Sequence, residues 1–444
     1  MDTTLQNLNK LLKDMSLDPE KQHQEVINEV CLKRKNLGKP EKLKHLAMRV
    51  IISNGGLYLS RVANPFAVLP NTLVQEFLKF IMNEQKRVLG STLIPLGLQE
   101  QFTILLLNEN LTIFDDSILP KNSDQPNVAF FEHAVQNCPK VSFFAARDGG
   151  YDNWKTLLGL DNYLYSEVPL DILKLQNLRT LRLTTSVCTE EFIQQLGQQI
   201  PRLDWLEIVL LKSKLSAKAP EYFSKMLCLR GLVISTRGYG ESVDIELLVQ
   251  IVGSIPNIEV LSLAECPVSD NDNWMLKGIL QIFFLEEFGR LYPNKQLLMI
   301  SVFVPNFQQV TWPQNVIVEE FGIEGDVTAD EILKVLLAMP RPPIRMVFSD
   351  VPFCSVYGAL EKFGPHLQSV TIDQGVESSL GLDVQLGKLN LINIIELCPN
   401  LEGLILSDPG VQMEKISLND ARLLNLPLDT FKKWKMFDLN ECFH

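Results

Sequence analysis

The chain has 444 residues, of which 46% are hydrophobic and 21% are charged, a balance typical of folded globular proteins. The net charge of −12 argues against a nucleic-acid partner, because a phosphate-binding surface would work against the overall field. No apolar stretch is long enough to predict a membrane span, and the first residues show no secretory signal. The eight cysteines are scattered singly, so we expect reduced thiols in a cytoplasmic and/or nuclear protein.

The first predicted elements are two amphipathic helices. The segment "EKLKHLAMRVII" (41–52) carries apolar residues at helical spacing, and so does "LPNTLVQEFLKF" (69–80). Pro70 suits the first turn of a helix, where its missing N–H would be unpaired anyway. The sequence therefore predicts helices over 41–53 and 70–82, within a helical N-terminal module that covers residues 1–120.

The next segment, "FTILLLNENLTIF" (102–114), reads as a strand-like apolar run. Asp115 and Asp116 follow it, and a loop N-cap is the preferred interpretation of this acid pair over a catalytic dyad. The polar segment "KNSDQPN" (121–127) predicts a loop that separates the helical module from the rest of the chain.

A strand motif L-x-x-L-x-L then recurs along the chain. It is clearest in "LQNLRTLRL" (175–183), "IPRLDWLEIVL" (200–210), "LCLRGLVIS" (227–235) and "IPNIEVLSLAEC" (255–266). The first strand positions, Leu178, Leu203, Leu229 and Ile258, are 25, 26 and 29 residues apart. This spacing is typical of leucine-rich repeats. The motif is clear again at 364–373 and 398–408, and a weaker copy occurs at 138–146.

Predicted helices lie between these strands and end before prolines. Examples are 189–200, with Thr189 as N-cap, and 244–255, 329–339 and 389–398. The stretch 264–345 is degenerate, with a long helix over 269–294 and strands at 296–304, 315–323 and 343–350. The pattern resembles the helix-bearing leucine-rich repeats, which implies an α/β solenoid (horseshoe) of about eight to ten units over 128–430, followed by a C-terminal tail at 431–444.

Enzyme signatures are absent from the sequence, so we expect a protein that is not an enzyme and that needs no cofactor or metal. Cys138 and Cys398 precede prolines at helix ends, and the preferred interpretation is a buried thiol rather than a nucleophile or ligand. The loop "STRGYGES" (235–242) follows a repeat strand and carries Arg237 and Tyr239, residue types common at interfaces. They are candidate target-binding residues.

The N-terminal helices resemble two docking motifs of ubiquitin-ligase substrate receptors. Leu43, Ala47 and Ile51 are similar to the BC box, L-x-x-x-C-x-x-x-hydrophobic, with alanine in place of cysteine. Leu69, Pro70, Leu73 and Phe77 are similar to the cullin box that follows it. With repeats behind them, these helices resemble the Zyg-type leucine-rich receptors of elongin–cullin ligases. The resemblance implies docking to elongin B/C and a cullin, with the repeats binding an unknown protein target.

Two alternatives remain open for these helices. The stretch "LPNTLVQEFLKFI" also resembles the opening of an F-box, which would dock a Skp-type adaptor, although 82–97 lacks the expected continuation. The other alternative is a leucine-rich-repeat scaffold with no ligase role, whose N-terminal helices cover the apolar end of the solenoid.

Overall fold

The computed structural model describes residues 47–48, 50–51, 58, 64–86, 96–115, 128–146, 168, 170–236, 244–265, 273–305, 311–373, 391–407 and 436–440. The chain divides into two compact units. Met1–Pro65 and Glu76–Phe102 form the first, and Phe66–Gln75 and Thr103–His444 form the second. The predicted BC-box helix is described only at residues 47, 48, 50 and 51, all of which are helical.

Two helices follow near the N-terminus, α1 (Asn71–Lys86) and α2 (Leu96–Leu106). The prediction of a helix after Pro70 is confirmed, since the Pro70 carbonyl accepts hydrogen bonds from the Leu73 and Val74 N–H groups at 2.9 and 3.1 Å. Within the first unit, the Phe77 ring lies 6.2 Å from the Phe102 ring.

The second unit contains one parallel sheet. Within the described residues it has twelve strands, hydrogen-bonded in sequence order. The strands are β1 (Ile113–Asp115), β2 (Phe143–Ala146), β3 (Thr180–Val187), β4 (Trp205–Leu210), β5 (Gly231–Thr236), β6 (Val260–Glu265), β7 (Leu297–Pro305), β8 (Val316–Glu324), β9 (Arg345–Ser349), β10 (Ser369–Asp373), β11 (Gly403–Ser407) and β12 (Met436–Asn440).

The recurring leucines explain this sheet. Adjacent strands pair so that one apolar residue of each strand lies beside its equivalent in the next strand, and each of these residues is buried. The row begins Phe114, Phe144, Leu181, Leu206, Leu232, Leu261. Such a row buries its apolar side only when the neighbouring strands are present, so the core is continuous along the stack. The α/β leucine-rich-repeat solenoid predicted from the sequence is confirmed.

Most pairs of successive strands are connected by a helix, and the apolar row lies between the sheet and these helices. They are α3 (Val128–Asn137), α4 (Glu190–Gln199), α5 (Ala219–Phe223), α6 (Ile245–Ser254), α7 (Asn273–Leu291), α8 (Ala329–Ala338), α9 (Phe353–Phe363) and α10 (Leu391–Leu397). Short 3₁₀ turns cover Leu170–Lys174, Lys212–Lys214 and Gly364–His366. The predicted N-cap is confirmed, because the Thr189 hydroxyl accepts a hydrogen bond from the Phe192 N–H at 3.2 Å.

Asparagine side chains join the turns that precede several strands to the previous repeat. Asn177, Asn257 and Asn400 donate to the carbonyls of Pro139, Leu227 and Pro365 at 2.7 to 2.8 Å. Asn110 makes the equivalent bond to Ala67 at 2.7 Å. The turn that contains Ala67 therefore accepts the same kind of asparagine hydrogen bond that the preceding repeat accepts ahead of later strands.

Two features differ from the sequence-based expectation. The run 102–114 is not a strand, because α2 continues to Leu106 and only Ile113–Asp115 is extended. A short uninterrupted apolar run does not distinguish a buried helix end from a strand. The sheet also exceeds eight to ten units, since β1 lies upstream of residue 128 and β12 lies within the predicted tail 431–444. Neither strand carries the full leucine motif.

Candidate functional site

The predicted elongin-contacting residues lie only partly within the described residues. Leu43 is outside them. Ala47 is exposed and Ile51 is half-buried, whereas Met48 between them is buried. The described part of this helix therefore has an inner side and an outer side, and Ala47 belongs to the outer side.

The predicted cullin-contacting residues lie at the start of α1, and three of the four are accessible. Pro70 is exposed, Leu73 is 39% exposed and Leu69 is half-buried. Phe77 is different, because it is only 2% exposed and packs near Phe102. In this conformation the Phe77 ring packs within the first unit, and the accessible apolar residues are Leu69 and Pro70 just before α1 and Leu73 in its first turn.

The first turn of α1 is held in place by side-chain hydrogen bonds within the second unit. The Asn71 amide donates to the Thr112 hydroxyl at 2.7 Å, and its carbonyl oxygen accepts from the Thr112 N–H at 3.1 Å. Thr112 directly precedes β1. The accessible residues Pro70 and Leu73 therefore flank a residue that is fixed to the start of the sheet.

The candidate target-binding residues Arg237 and Tyr239 lie outside the described residues, so their assignment stays a prediction. The acid pair is described only at Asp115, the last residue of β1. Cys138 and Cys398 are buried, as expected, and burial raises the pKa of each thiol to about 12.

The side of the sheet opposite the apolar row carries a group of aromatic and charged residues on neighbouring strands. We call Phe143, Arg182, Trp205 and Glu207 the sheet-face cluster. The Arg182 guanidinium lies over the Phe143 ring, 5.5 Å from its centroid, and the Arg182 Nε is 3.5 Å from a Glu207 carboxylate oxygen. The cluster therefore spans β2, β3 and β4.

A glycine on the next strand explains the position of the Trp205 ring. Gly231 pairs with Trp205 across β4 and β5, and a Cβ at Gly231 would lie 2.1 Å from the indole. Glycine thus lets the indole lie against the sheet. Phe303 lies over Gly322 in the same way on β7 and β8, where a Cβ would also be 2.1 Å away.

Charged residues accompany the cluster at the starts of the strands. Arg179 pairs with Asp204 at 3.2 Å, and Arg230 pairs with Glu259 at 2.6 Å. The hydrogen bond from Arg230 lowers the pKa of the Glu259 carboxyl. Opposite charges therefore alternate along β3, β4, β5 and β6, and this part of the face has no strong net charge.

Sequence reasoning did not single out the sheet-face cluster, although a signal for it was present. In L-x-x-L-x-L the variable positions point away from the leucine row, and "LRTLRL" and "LDWLEI" place Arg182, Trp205 and Glu207 at those positions. The contacts between them depend on the pairing register of the strands, which the motif alone does not give.

Two absences apply to the described part of the chain. No group of three or more His, Cys, Asp or Glu residues there could hold a metal ion. None of the helices in those ranges has the length and apolar character required to cross a membrane.

No protein-family model matches the chain, and no curated protein matches it. Solved structures do resemble it. One is a chain of the crystal structure of the Rad7 and Elc1 complex in yeast, with 13% identity, a TM-score of 0.35, and coverage of 88% of this chain and 81% of that chain. Another is the leucine-rich repeat-containing protein LegL7 from Legionella pneumophila, with 14% identity, a TM-score of 0.31, and coverage of 68% and 86%.

These similarities assign neither an activity nor a partner to the chain. The fold rests on its own observations, namely the parallel strand order, the buried row of equivalent residues and the helices that connect the strands. By these features the chain is an α/β leucine-rich-repeat solenoid.

Proposed function

We propose that this protein is a non-catalytic substrate receptor of a cullin-RING ubiquitin ligase that acts in the cytoplasm and/or nucleus. Its N-terminal helices dock elongin B/C and a cullin, and its repeats bind a target protein. The observation that carries the proposal is the accessibility of Ala47, Pro70 and Leu73, which occupy key positions of the BC-box and cullin-box patterns.

The exposed apolar surface at the start of α1 supports the cullin-docking part. Val68 is 85% exposed and Leu73 is 39% exposed, with Pro70 accessible between them. Neighbouring apolar side chains at the start of a helix suit binding in a groove, where a few buried anchors supply most of the affinity.

The accessible Ala47 supports the elongin-docking part. A small residue on the outer side of a helix permits close approach of a partner, and the larger apolar residues on either side of it in the BC-box pattern would then fill the groove. The buried Met48 holds the inner side of the same helix.

The proposal is tested by binding of the purified full-length protein to purified elongin B/C and to a cullin. We expect Ala47→Arg to weaken elongin B/C binding at least tenfold, because a long charged side chain would separate the helix from the groove. Leu73→Arg should weaken cullin binding by a similar factor and leave elongin binding unchanged. Both positions are accessible, so neither substitution requires repacking of a core.

Leu337→Arg is the matched control, because Leu337 on α8 is 75% exposed and belongs to the repeats. It should leave both affinities unchanged. The proposal is wrong if the wild-type protein binds neither partner, or if Leu337→Arg lowers cullin binding as much as Leu73→Arg does. Capture of a Skp-type adaptor in place of elongin would assign the helices to an F-box.

A further inference from the structure

The pairing of β6 with β7 stops early. In the described strands it is limited to Val260 and Leu261 of β6, although β6 continues to Glu265 and β7 continues to Pro305. The flanking boundaries are paired further, with six residue pairs between β5 and β6 and eight between β7 and β8. The residues of β6 that follow Leu261 therefore do not pair directly with β7.

A glutamine side chain bridges the parts of these strands that do not pair. Gln281 of α7 is buried, with 1% of its surface exposed. Its Nε2 donates to the Leu263 carbonyl of β6 at 3.1 Å, and its Oε1 accepts a hydrogen bond from the Phe303 N–H of β7 at 2.8 Å. The side-chain amide thus offers each strand the kind of hydrogen bond that the peptide group of a neighbouring strand would offer.

The other end of the same boundary is held by backbone and turn contacts. The Leu298 N–H donates to the Glu259 carbonyl at 2.8 Å, where the two strands begin. In the turn before β7, the Lys295 ammonium donates to the Gly253 carbonyl at 2.8 Å and also to the Ile255 carbonyl. The boundary is therefore fixed where the strands begin and is bridged by a side chain further along.

We propose that the boundary between β6 and β7 is a hinge in the repeat array. The starts of the two strands are its fixed end, and the Gln281 side chain is the latch at the other end. When the two hydrogen bonds of Gln281 break, the ends of β6 and β7 separate while their starts stay together. The part of the sheet with β1–β6 and the part with β7–β12 then change their mutual angle.

Opening at this boundary breaks fewer hydrogen bonds than opening at a fully paired one. Here the bonds of Gln281 are replaced by bonds to water, and the net free-energy change for each such exchange is modest. Separation of β7 from β8 would instead break a ladder along the length of both strands. Local openings of a folded protein are easiest where few interactions are lost. The inference does not depend on the proposed function.

Native-state hydrogen exchange of the full-length protein tests the hinge, with single amides resolved by fragmentation in the mass spectrometer. After correction for intrinsic rates, we expect the wild-type Phe303 amide to exchange at least tenfold faster than the strand amides of β8. The strand β8 is the reference because it pairs on both sides, with β7 and with β9. This comparison needs no variant, so it decides the inference even where a substitution prevents folding.

Gln281→Leu tests the latch itself, because leucine has a similar size and makes neither hydrogen bond. We expect it to raise the exchange rate of the Phe303 amide at least a further tenfold. The Leu298 amide at the fixed end should keep its wild-type rate. Thr328→Ala is the control for a general loss of stability, because Thr328 caps α8, which follows β8 in the chain. It should leave the ratio of the Phe303 and Leu298 rates unchanged.

Three results would overturn the inference. The first is a wild-type Phe303 amide as protected as the amides of β8. The second is an unchanged Phe303 rate in Gln281→Leu. The third is a Leu298 amide that Gln281→Leu accelerates as much as the Phe303 amide, because the whole boundary would then open at once and would have no fixed end.

Discussion

At the residue scale, two of the buried cysteines have equivalent positions in different repeats. Cys138 and Cys398 follow the last residues of α3 and α10, and each N–H donates to a carbonyl four residues earlier at 2.9 Å. Each carbonyl then accepts a hydrogen bond from a residue three positions later at 3.1 Å. These cysteines are therefore part of the turn that leads from a helix into the next strand.

Desolvation determines the chemistry of these thiols. Burial raises the pKa of Cys138 and Cys398 from 9.0 to about 12 and also raises that of Cys188. The thiolate is the reactive form, so these three residues are poor nucleophiles near neutral pH. Because the folded-state pKa is the higher one, the stabilisation from these neutral thiols is complete below about pH 9 and is lost between about pH 9 and 12.

We predict that native protein treated with iodoacetamide near pH 8 is alkylated at Cys228 and Cys354, which are exposed, and not at Cys138, Cys188 or Cys398. Peptide mass spectrometry measures the modified fraction at each site. The same treatment in denaturant should label all five residues, which controls for intrinsic reactivity. Labelling of native Cys138 at the rate of Cys228 would show that the thiol is not buried.

At the element scale, α8 begins with a capping box. Thr328 is the N-cap, and its side chain accepts a hydrogen bond from the Glu331 N–H. The Glu331 carboxylate accepts from the Thr328 N–H at 2.9 Å and from its hydroxyl at 2.6 Å. The hydrogen bond from the Thr328 hydroxyl is the main cause of the lowered pKa of Glu331. Two backbone N–H groups at the helix start are thereby satisfied.

We predict that Thr328→Ala lowers the free energy of unfolding by about 1 kcal/mol at pH 7, as measured by urea denaturation. Glu331 has a lowered pKa in the folded state, so its contribution is present above its unfolded pKa and is lost as the pH falls through the folded pKa. The difference in the free energy of unfolding between the wild type and Thr328→Ala should therefore become smaller at acidic pH.

Thr189→Ala is the control for this pH dependence. The Thr189 side chain caps α4 by accepting a hydrogen bond from the Phe192 N–H. Phe192 occupies the position equivalent to Glu331, so this position provides no carboxylate to accept a hydrogen bond from the Thr189 N–H. The loss of unfolding free energy caused by Thr189→Ala should change less with pH than the loss caused by Thr328→Ala. Equal pH profiles for the two substitutions would contradict the role of Glu331 in the box.

At the scale of the whole molecule, the repeats were predictable because the residues that are buried recur at a regular spacing in the sequence. Leu181, Leu206 and Leu232 recur at nearly constant spacing and are all fully buried, so the motif determines both the strands and the side of each strand that faces the core. Within the described residues, β1 and β12 are the first and last strands of the sheet and lack the full motif. Only the end of the strand-like run 102–114 falls on β1, and β12 lies in a segment that was predicted as a tail.

The candidate surfaces were less predictable for a physical reason. The helix at 70–82 follows from periodicity, but periodicity does not show that Phe77 is buried near Phe102 while Leu73 is accessible. The sheet-face cluster depends on register and on Gly231, whose missing side chain accommodates the indole of another repeat. Such contacts join residues about 25 positions apart and leave no local pattern.

The central claim is the proposal that the accessible apolar side chains at the start of α1 dock a cullin, while the helix before it docks elongin B/C. Binding of the full-length protein to immobilised cullin, with elongin B/C binding measured on the same preparations, tests it most directly. We predict that the wild type binds both partners, that Leu73→Arg weakens cullin binding at least tenfold with elongin B/C binding unchanged, and that Leu337→Arg changes neither affinity. Cullin binding of Leu73→Arg at the wild-type affinity, or a loss of both interactions with that single substitution, would contradict the claim.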